Sequence, residues 1–166
     1  MGGTDGQYRL SYDANVSRAD LLQTYLPAFE AVVGEARVRG IMCAYNSVNG
    51  TPLCANELLQ EQLRGRIGFD GIVITDCGAI GFMISNHKWN HSDGTPVNLT
   101  EAAARSLAAG SDLNCGGAYG SELRRAYDLA MISSEMVSRS VARVIDGWME
   151  LGLFEDSAAA AADQRR

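Results

Sequence analysis

The spacing of apolar residues changes several times along the chain, and each change marks an element. Leu21, Leu22, Tyr25, Leu26, Phe29, Val32 and Val33 recur at helical intervals. With the capping-box-like pair Ser17 and Asp20 in front, they predict a helix running to about Val33 and disturbed at Pro27. GIMCAY, from Gly40 to Tyr45, is a short apolar run that reads as a strand, and NSVNGTPLCAN after it is a loop dense in turn residues. Asn56 is placed to cap a helix over ELLQEQLRGR.

Ile72, Val73 and Ile74 form a β-branched run without polar alternation, the pattern of a parallel strand covered on both faces. The stretch from Gly81 to Val97 reads as an irregular loop, and Thr100 with Glu101 opens a helix that stops at Gly110. SDLNC is a brief third strand. Two helices follow, from Ser121 to Met131 and from Ser134 to Leu151, the second with Met136, Val137, Val141, Val144, Ile145 and Trp148 on one side. Residues 1–156 are expected to form one folded unit, and the low-complexity stretch 157–166 a tail or linker.

The order of helix, strand, helix, strand, helix, strand, helices predicts an α/β fold with a parallel sheet. A doubly wound sheet and a slice of an eight-stranded barrel both satisfy that order. Three strands cannot close a barrel alone, so the second architecture implies an incomplete one.

Composition narrows the function classes. With 166 residues and 46% hydrophobic content, one core is enough. Fourteen basic residues against 20 acidic ones, a net charge of −6, oppose a nucleic-acid partner. No apolar run approaches the ~18 residues of a membrane span, so no membrane partner is expected, and the polar start MGGTDGQYRLSYD has no signal-peptide core. N-x-S/T triplets at Asn15, Asn49, Asn90 and Asn98 point instead towards secretion.

The four cysteines, Cys43, Cys54, Cys77 and Cys115, lack a C-x-x-C pair or a His at ligand spacing, so zinc is not expected. Cys77 and Cys115 both follow predicted strand tips, where a disulfide and a pair of buried thiols stand as equal readings. His87 and His91 in HKWNH have the spacing of one helix face, but their loop setting argues for a pocket border or a solvated segment over a metal site. GGAYG, after Cys115, lacks the remainder of a phosphate-binding loop and reads as a strand-to-helix turn.

Candidate chemistry lies at the strand exits. Asp76 follows the Ile72–Ile74 run at the carboxyl edge of the sheet, where α/β folds build their sites. The plain alternative is that it caps the next turn. Tyr45 and Asn46 end the preceding strand and Asn114 the following one, and their convergence with Asp76 would make a concave polar site. Among those neighbours metal ligation is poorly supported, whereas a carboxylate nucleophile held by the Tyr45 phenol fits. A satisfied core phenol is the bland reading of Tyr45.

IMCAYNSVNGTPLCAN, then GFDGIVITDCGAI, then AAGSDLNCG, together with VSRADLLQTYLPAF and the ending LGLFED, resemble glycoside hydrolase family 3. The resemblance runs from about Tyr12 to Phe154 and covers the last three or so β/α units of that family's N-terminal (β/α)8 barrel. It implies that Asp76 is the catalytic nucleophile of a retaining hydrolase, acting on an oligosaccharide or glycoside without a cofactor. Tyr45 matches the tyrosine beside the nucleophile and Met42 an apolar residue of the same pocket. Cys77 stands where many glucosidases carry Trp, and the cysteine pattern favours the xylosidase and arabinofuranosidase branch over β-glucosidases. The general acid, the earlier barrel strands and the C-terminal domain match no segment of this chain, which is therefore expected to be inactive alone. Glu57 is better explained by the first turn of a helix than as that acid. The resemblance also implies an extracellular or periplasmic parent enzyme. A non-catalytic carbohydrate-binding domain is the alternative of another class.

Overall fold

The computed structural model describes residues 8–154, so the stretch 157–166 lies outside the described residues. Strand β1 (Asp13–Ala14) leads into helix α1, which is built of Arg18–Asp20, a wider π-type segment Leu21–Tyr25 and Leu26–Gly34. Ser17 caps it as predicted, its hydroxyl accepting from Asp20 N at 3.0 Å. The disturbance at Pro27 takes the form of that π segment. Leu26 N–H donates to Leu21 O, five residues back, just before the proline that has no N–H to offer. Only Leu26 of this helix is fully buried, and Tyr25, Phe29 and Val32 remain exposed.

Strand β2 (Gly40–Cys43) pairs in parallel with β5 (Ile72–Thr75), Cys43 lying opposite Thr75. The predicted loop between them contains a small hairpin, β3 (Ser47–Val48) with β4 (Thr51–Pro52). Asn49 and Gly50 both have positive φ, 52° and 82°, as the tightest hairpin turns require. The Asn49 side chain binds Val16 N and O, so the hairpin tip is fastened to the start of α1. A single turn at Leu53–Ala55 precedes α2 (Leu59–Arg66), which is π-type and starts where Asn56 Oδ1 accepts from Leu58 N.

Three sequence expectations are corrected. The helix placed at Thr100 is α4 (Leu99–Ala109), and its cap is Asn98, whose Oδ1 accepts from Glu101 N. Thr100 is buried instead and donates to Glu122. The irregular loop from Gly81 is shorter than expected, because α3 (Ala79–Ser85) buries Ala79, Ile80 and Met83 as one stripe. The third strand is reduced to one parallel bridge between Leu113 and Ile74. There the Asp112 carboxylate, rather than a strand carbonyl, takes the Val73 N–H.

Helices α5 (Ala118–Asp128) and α6 (Ser134–Glu150) complete the mixed α/β architecture. Cys43, Leu59, Leu63, Val73, Ile80 and Ala103 belong to the main buried cluster, which joins strands, α2, α3 and α4. Asp112, with no exposed side-chain surface, bonds Arg64 of α2 at 2.6 Å and Arg143 of α6 at 2.8 Å. On the predicted apolar side of α6 only Val144 is buried, while Val141, Ile145 and Trp148 are exposed.

Candidate active site

Strand β5 spends its alternate residues differently on its two sides. Val73 and Thr75 have no exposure, so the chain reverses face at Asp76, which emerges half-buried. Asp76 N–H donates to Cys43 O at 3.0 Å, locking the exit of β5 to the exit of β2. The Asp76 Oδ1 atom accepts from Cys77 N at 2.7 Å. Gly78 then takes φ 79°, and any Cβ there would sit 3.3 Å from the Phe82 ring, so glycine suits both the turn and the close start of α3.

Tyr45 stands beside this turn. Its hydroxyl donates to Cys77 O at 3.0 Å and also has the Asp76 carboxylate in reach. Hydrogen bonding to Asp76, then burial, then the carboxylate's charge raise the phenol's pKa above its ordinary value. The ring is packed edge-on against Phe82, centroids 5.4 Å apart. Arg9 lies over the ring, 4.9 Å from its centroid.

Asp76, Tyr45 and Asn46 share a cavity of 460 Å³ with Tyr8, Arg9 and Tyr12. Two of the three predicted strand tips therefore meet. The third does not: Asn114 donates to Thr75 Oγ1 at 3.0 Å and borders a different hollow with Gly78 and Gly116. Arg9, Tyr8 and Tyr12 were not anticipated, since they lie before the first predicted helix and no periodicity marks them.

Met42 lines a neighbouring apolar groove with Tyr25 and Phe29, and Tyr12 borders both hollows. The register partner of Met42 is Ile74, two residues before Asp76, so Met42 and Asp76 belong to the same face of the sheet. Cys77 is bonded to Cys115, and Cys43 to Cys54, which settles the choice between disulfide and free thiols. Cys77 is thus both an exposed neighbour of Asp76 and a tether to the Leu113 bridge.

The two histidines diverge. His87 contacts Ser47 Oγ and Tyr45 O, whereas His91 contacts Glu101 and Arg105. Among the described residues, no group of three or more His, Cys, Asp or Glu side chains could hold a metal ion. Trp89 borders a separate cleft of 620 Å³ with Glu57, His91 and Arg105, rather than the Asp76 cavity. Glu57 sits in the first turn ahead of α2, where its carbonyl accepts from Gln60 and Glu61.

Residues 1–146 match the Glycosyl hydrolase family 3 N terminal domain. The chain belongs to glycosyl hydrolase family 3. A family 3 relative from Aspergillus clavatus, named "Probable exo-1,4-beta-xylosidase xlnD", is 36% identical over 159 residues, covering 94% of this chain and 19% of the relative. "Probable exo-1,4-beta-xylosidase bxlB" from Aspergillus terreus is 35% identical over 158 residues, 93% of this chain and 20% of its own length. Among solved structures, a GH3 exo-beta-xylosidase (XlnD) in complex with a xylobiose aziridine activity based probe superposes with a TM-score of 0.78. It is 34% identical, over 87% of this chain and 18% of that one. A beta-glucosidase from Listeria innocua gives a TM-score of 0.77 at 35% identity, over 89% of this chain and 20% of that one. This family 3 chain therefore spans about a fifth of the length of the relatives it matches. Among the described residues, no helix is long and apolar enough to cross a membrane.

Proposed function

We propose that this chain is the nucleophile-bearing part of a retaining glycoside hydrolase that removes non-reducing terminal β-linked sugars, with xylo-oligosaccharides as the first substrate class. Residues 1–156 would be the last three or so β/α units of a (β/α)8 barrel. The earlier strands, the general acid and a C-terminal domain would come from elsewhere in a longer protein. The edge of β2, which no described strand pairs, offers backbone hydrogen-bonding groups, and the exposed Met42 and open side of α6 offer apolar surface; both support this reading.

The observation that carries the proposal is the meeting of Asp76 and the Tyr45 hydroxyl at one cavity on the exit side of a parallel sheet. The Asp76 carboxylate attacks the anomeric carbon as the glycosidic bond breaks, and the leaving oxygen takes a proton from the acid. Water then hydrolyses the glycosyl ester, giving net retention. The Tyr45 phenol, donating to Cys77 O, holds the turn from which the Asp76 carboxylate projects into the cavity. Cys77, tied to Cys115, presents a compact sulfur edge on the leaving-group side, and Met42 supplies apolar contact on the same face of the sheet.

The disulfide at Cys77 and the names of the Aspergillus relatives favour xylosides. A β-glucosidase is the second reading, because the Listeria innocua structure superposes almost equally well. The two disulfides favour an extracellular or periplasmic setting. Replacing Asp76 by Ala in the full-length protein tests the assignment. Turnover of aryl β-xyloside and β-glucoside should disappear with the fold retained, whereas unchanged hydrolysis refutes the nucleophile.

A further inference from the structure

The segment that leaves Asp76 returns to Tyr45. Gly78 opens α3 directly after the Asp76 turn, Phe82 of that helix packs against the Tyr45 ring, and His87 N–H donates to Phe82 O at the helix end. The His87 ring then closes the circuit. Its Nε2 lies 2.8 Å from Tyr45 O and its Nδ1 3.1 Å from Ser47 Oγ. A carbonyl only accepts, so the ring proton is on Nε2, and in the neutral ring Nδ1 accepts from the buried Ser47 hydroxyl.

We infer that His87 is a positioning residue for the proposed reaction: it clamps the main chain from Tyr45 to Ser47 and thereby fixes the Tyr45 hydroxyl beside Asp76. This rests on the reading of Asp76 as the nucleophile. The clamp occupies both ring nitrogens with partners two residues apart, one at each end of the Tyr45-Asn46-Ser47 turn. The other end of Ser47 is also held, its N–H donating to Tyr12 O at 2.8 Å. The turn is thus pinned from two sides while the Tyr45 ring is wedged between Phe82 and Arg9. Losing the imidazole frees the Tyr45 carbonyl and lets the phenol drift from the carboxylate, a displacement that orientation-dependent catalysis feels.

The test is made in the full-length protein with an aryl β-xyloside, measuring kcat, KM and thermal melting for His87→Ala, His87→Gln, Tyr45→Phe and the His87→Ala/Tyr45→Phe pair. His87→Ala should lower kcat about 10-fold with little change in KM. His87→Gln, whose amide can both donate and accept, should recover most of that loss. In the Tyr45→Phe background, His87→Ala should have no further effect on kcat, because the residue acts through that hydroxyl. A normal kcat in His87→Ala, or an equal loss with and without the Tyr45 hydroxyl, overturns the inference. Should His87→Ala fail to fold, Ser47→Ala combined with Tyr45→Phe tests the same coupling: non-additive losses support the clamp, and additive ones refute it. Asp76→Ala separates the two readings. Its full activity removes the nucleophile, while an inactive Asp76→Ala beside a normal His87→Ala removes the clamp alone.

Discussion

The Tyr45 hydroxyl donates to Cys77 O at 3.0 Å, and Cys77 N–H donates to Asp76 Oδ1 at 2.7 Å. One peptide unit away from the carboxylate, the phenol is therefore braced against the turn that carries it. Tyr45→Phe removes only the oxygen. It should lower kcat by about 10-fold, because the brace on the turn that carries Asp76 is lost, and leave the melting temperature nearly unchanged. Steady-state kinetics on the full-length protein check this.

The neighbouring Asp76 carboxylate sets the ionisation of Tyr45. Because its pKa is raised, first by hydrogen bonding to Asp76, the phenol keeps its proton beyond the pH at which an ordinary tyrosine loses it. The contribution to stability is complete below the unfolded phenol's pKa and disappears as pH rises through the folded one. Absorbance titration should show a tyrosine ionising late, and Asp76→Ala should bring that ionisation back towards the ordinary range.

Glu122 titrates in the opposite sense. The Thr100 hydroxyl donates to its carboxylate at 2.6 Å and lowers its pKa. This stabilisation is present above the unfolded carboxylate's pKa and is lost as pH falls through the lower folded value. A pKa measured by NMR should rise in Thr100→Val; an unchanged value contradicts the assignment of cause.

Asp112 holds Arg64, Arg143 and Val73 N–H with a carboxylate that has no exposed surface. Asp112→Ala leaves two guanidinium groups without their anion and should cost about 3–5 kcal/mol, visible as a lower denaturation midpoint. Asp112→Asn, which still accepts hydrogen bonds, should cost less.

Peptide mapping without reduction should recover Cys43 with Cys54 and Cys77 with Cys115. Cys115→Ser should destabilise by about 2–4 kcal/mol, since the bridge closes a loop across 38 positions. Recovery of Cys77 with Cys43 or Cys54 contradicts the structure.

Much of this was legible because it is local. The β-branched run at Ile72–Ile74 placed the strand, Ser17 and Asn56 announced two helix starts, and Gly110 stopped α4 with φ 101°. What escaped depends on tertiary partners. Asn98 and Thr100 are equally good caps by type, and only burial of Thr100 against Glu122 decides between them. The third strand is cut short because the Asp112 side chain takes the Val73 N–H and leaves backbone pairing only around Leu113, which no pattern of apolar residues reports. Asn49-Gly50 did carry a hairpin signal, but its strands are two residues long and too short for alternation to show. At the site, Asp76 and Tyr45 were readable from strand exits, whereas Arg9 reaches Tyr45 across 36 positions with no motif to mark it. His87 read only as part of a pocket border or a solvated loop, and its ring is bonded to Tyr45 and Ser47, partners that no spacing in the sequence announces.

A covalent bond between Asp76 and the sugar is the step that can be seen directly. The full-length protein treated with a 2-deoxy-2-fluoro-β-xyloside bearing a good leaving group should accumulate a glycosyl ester, and peptide mass spectrometry should locate it on Asp76. An adduct on any other residue contradicts the account.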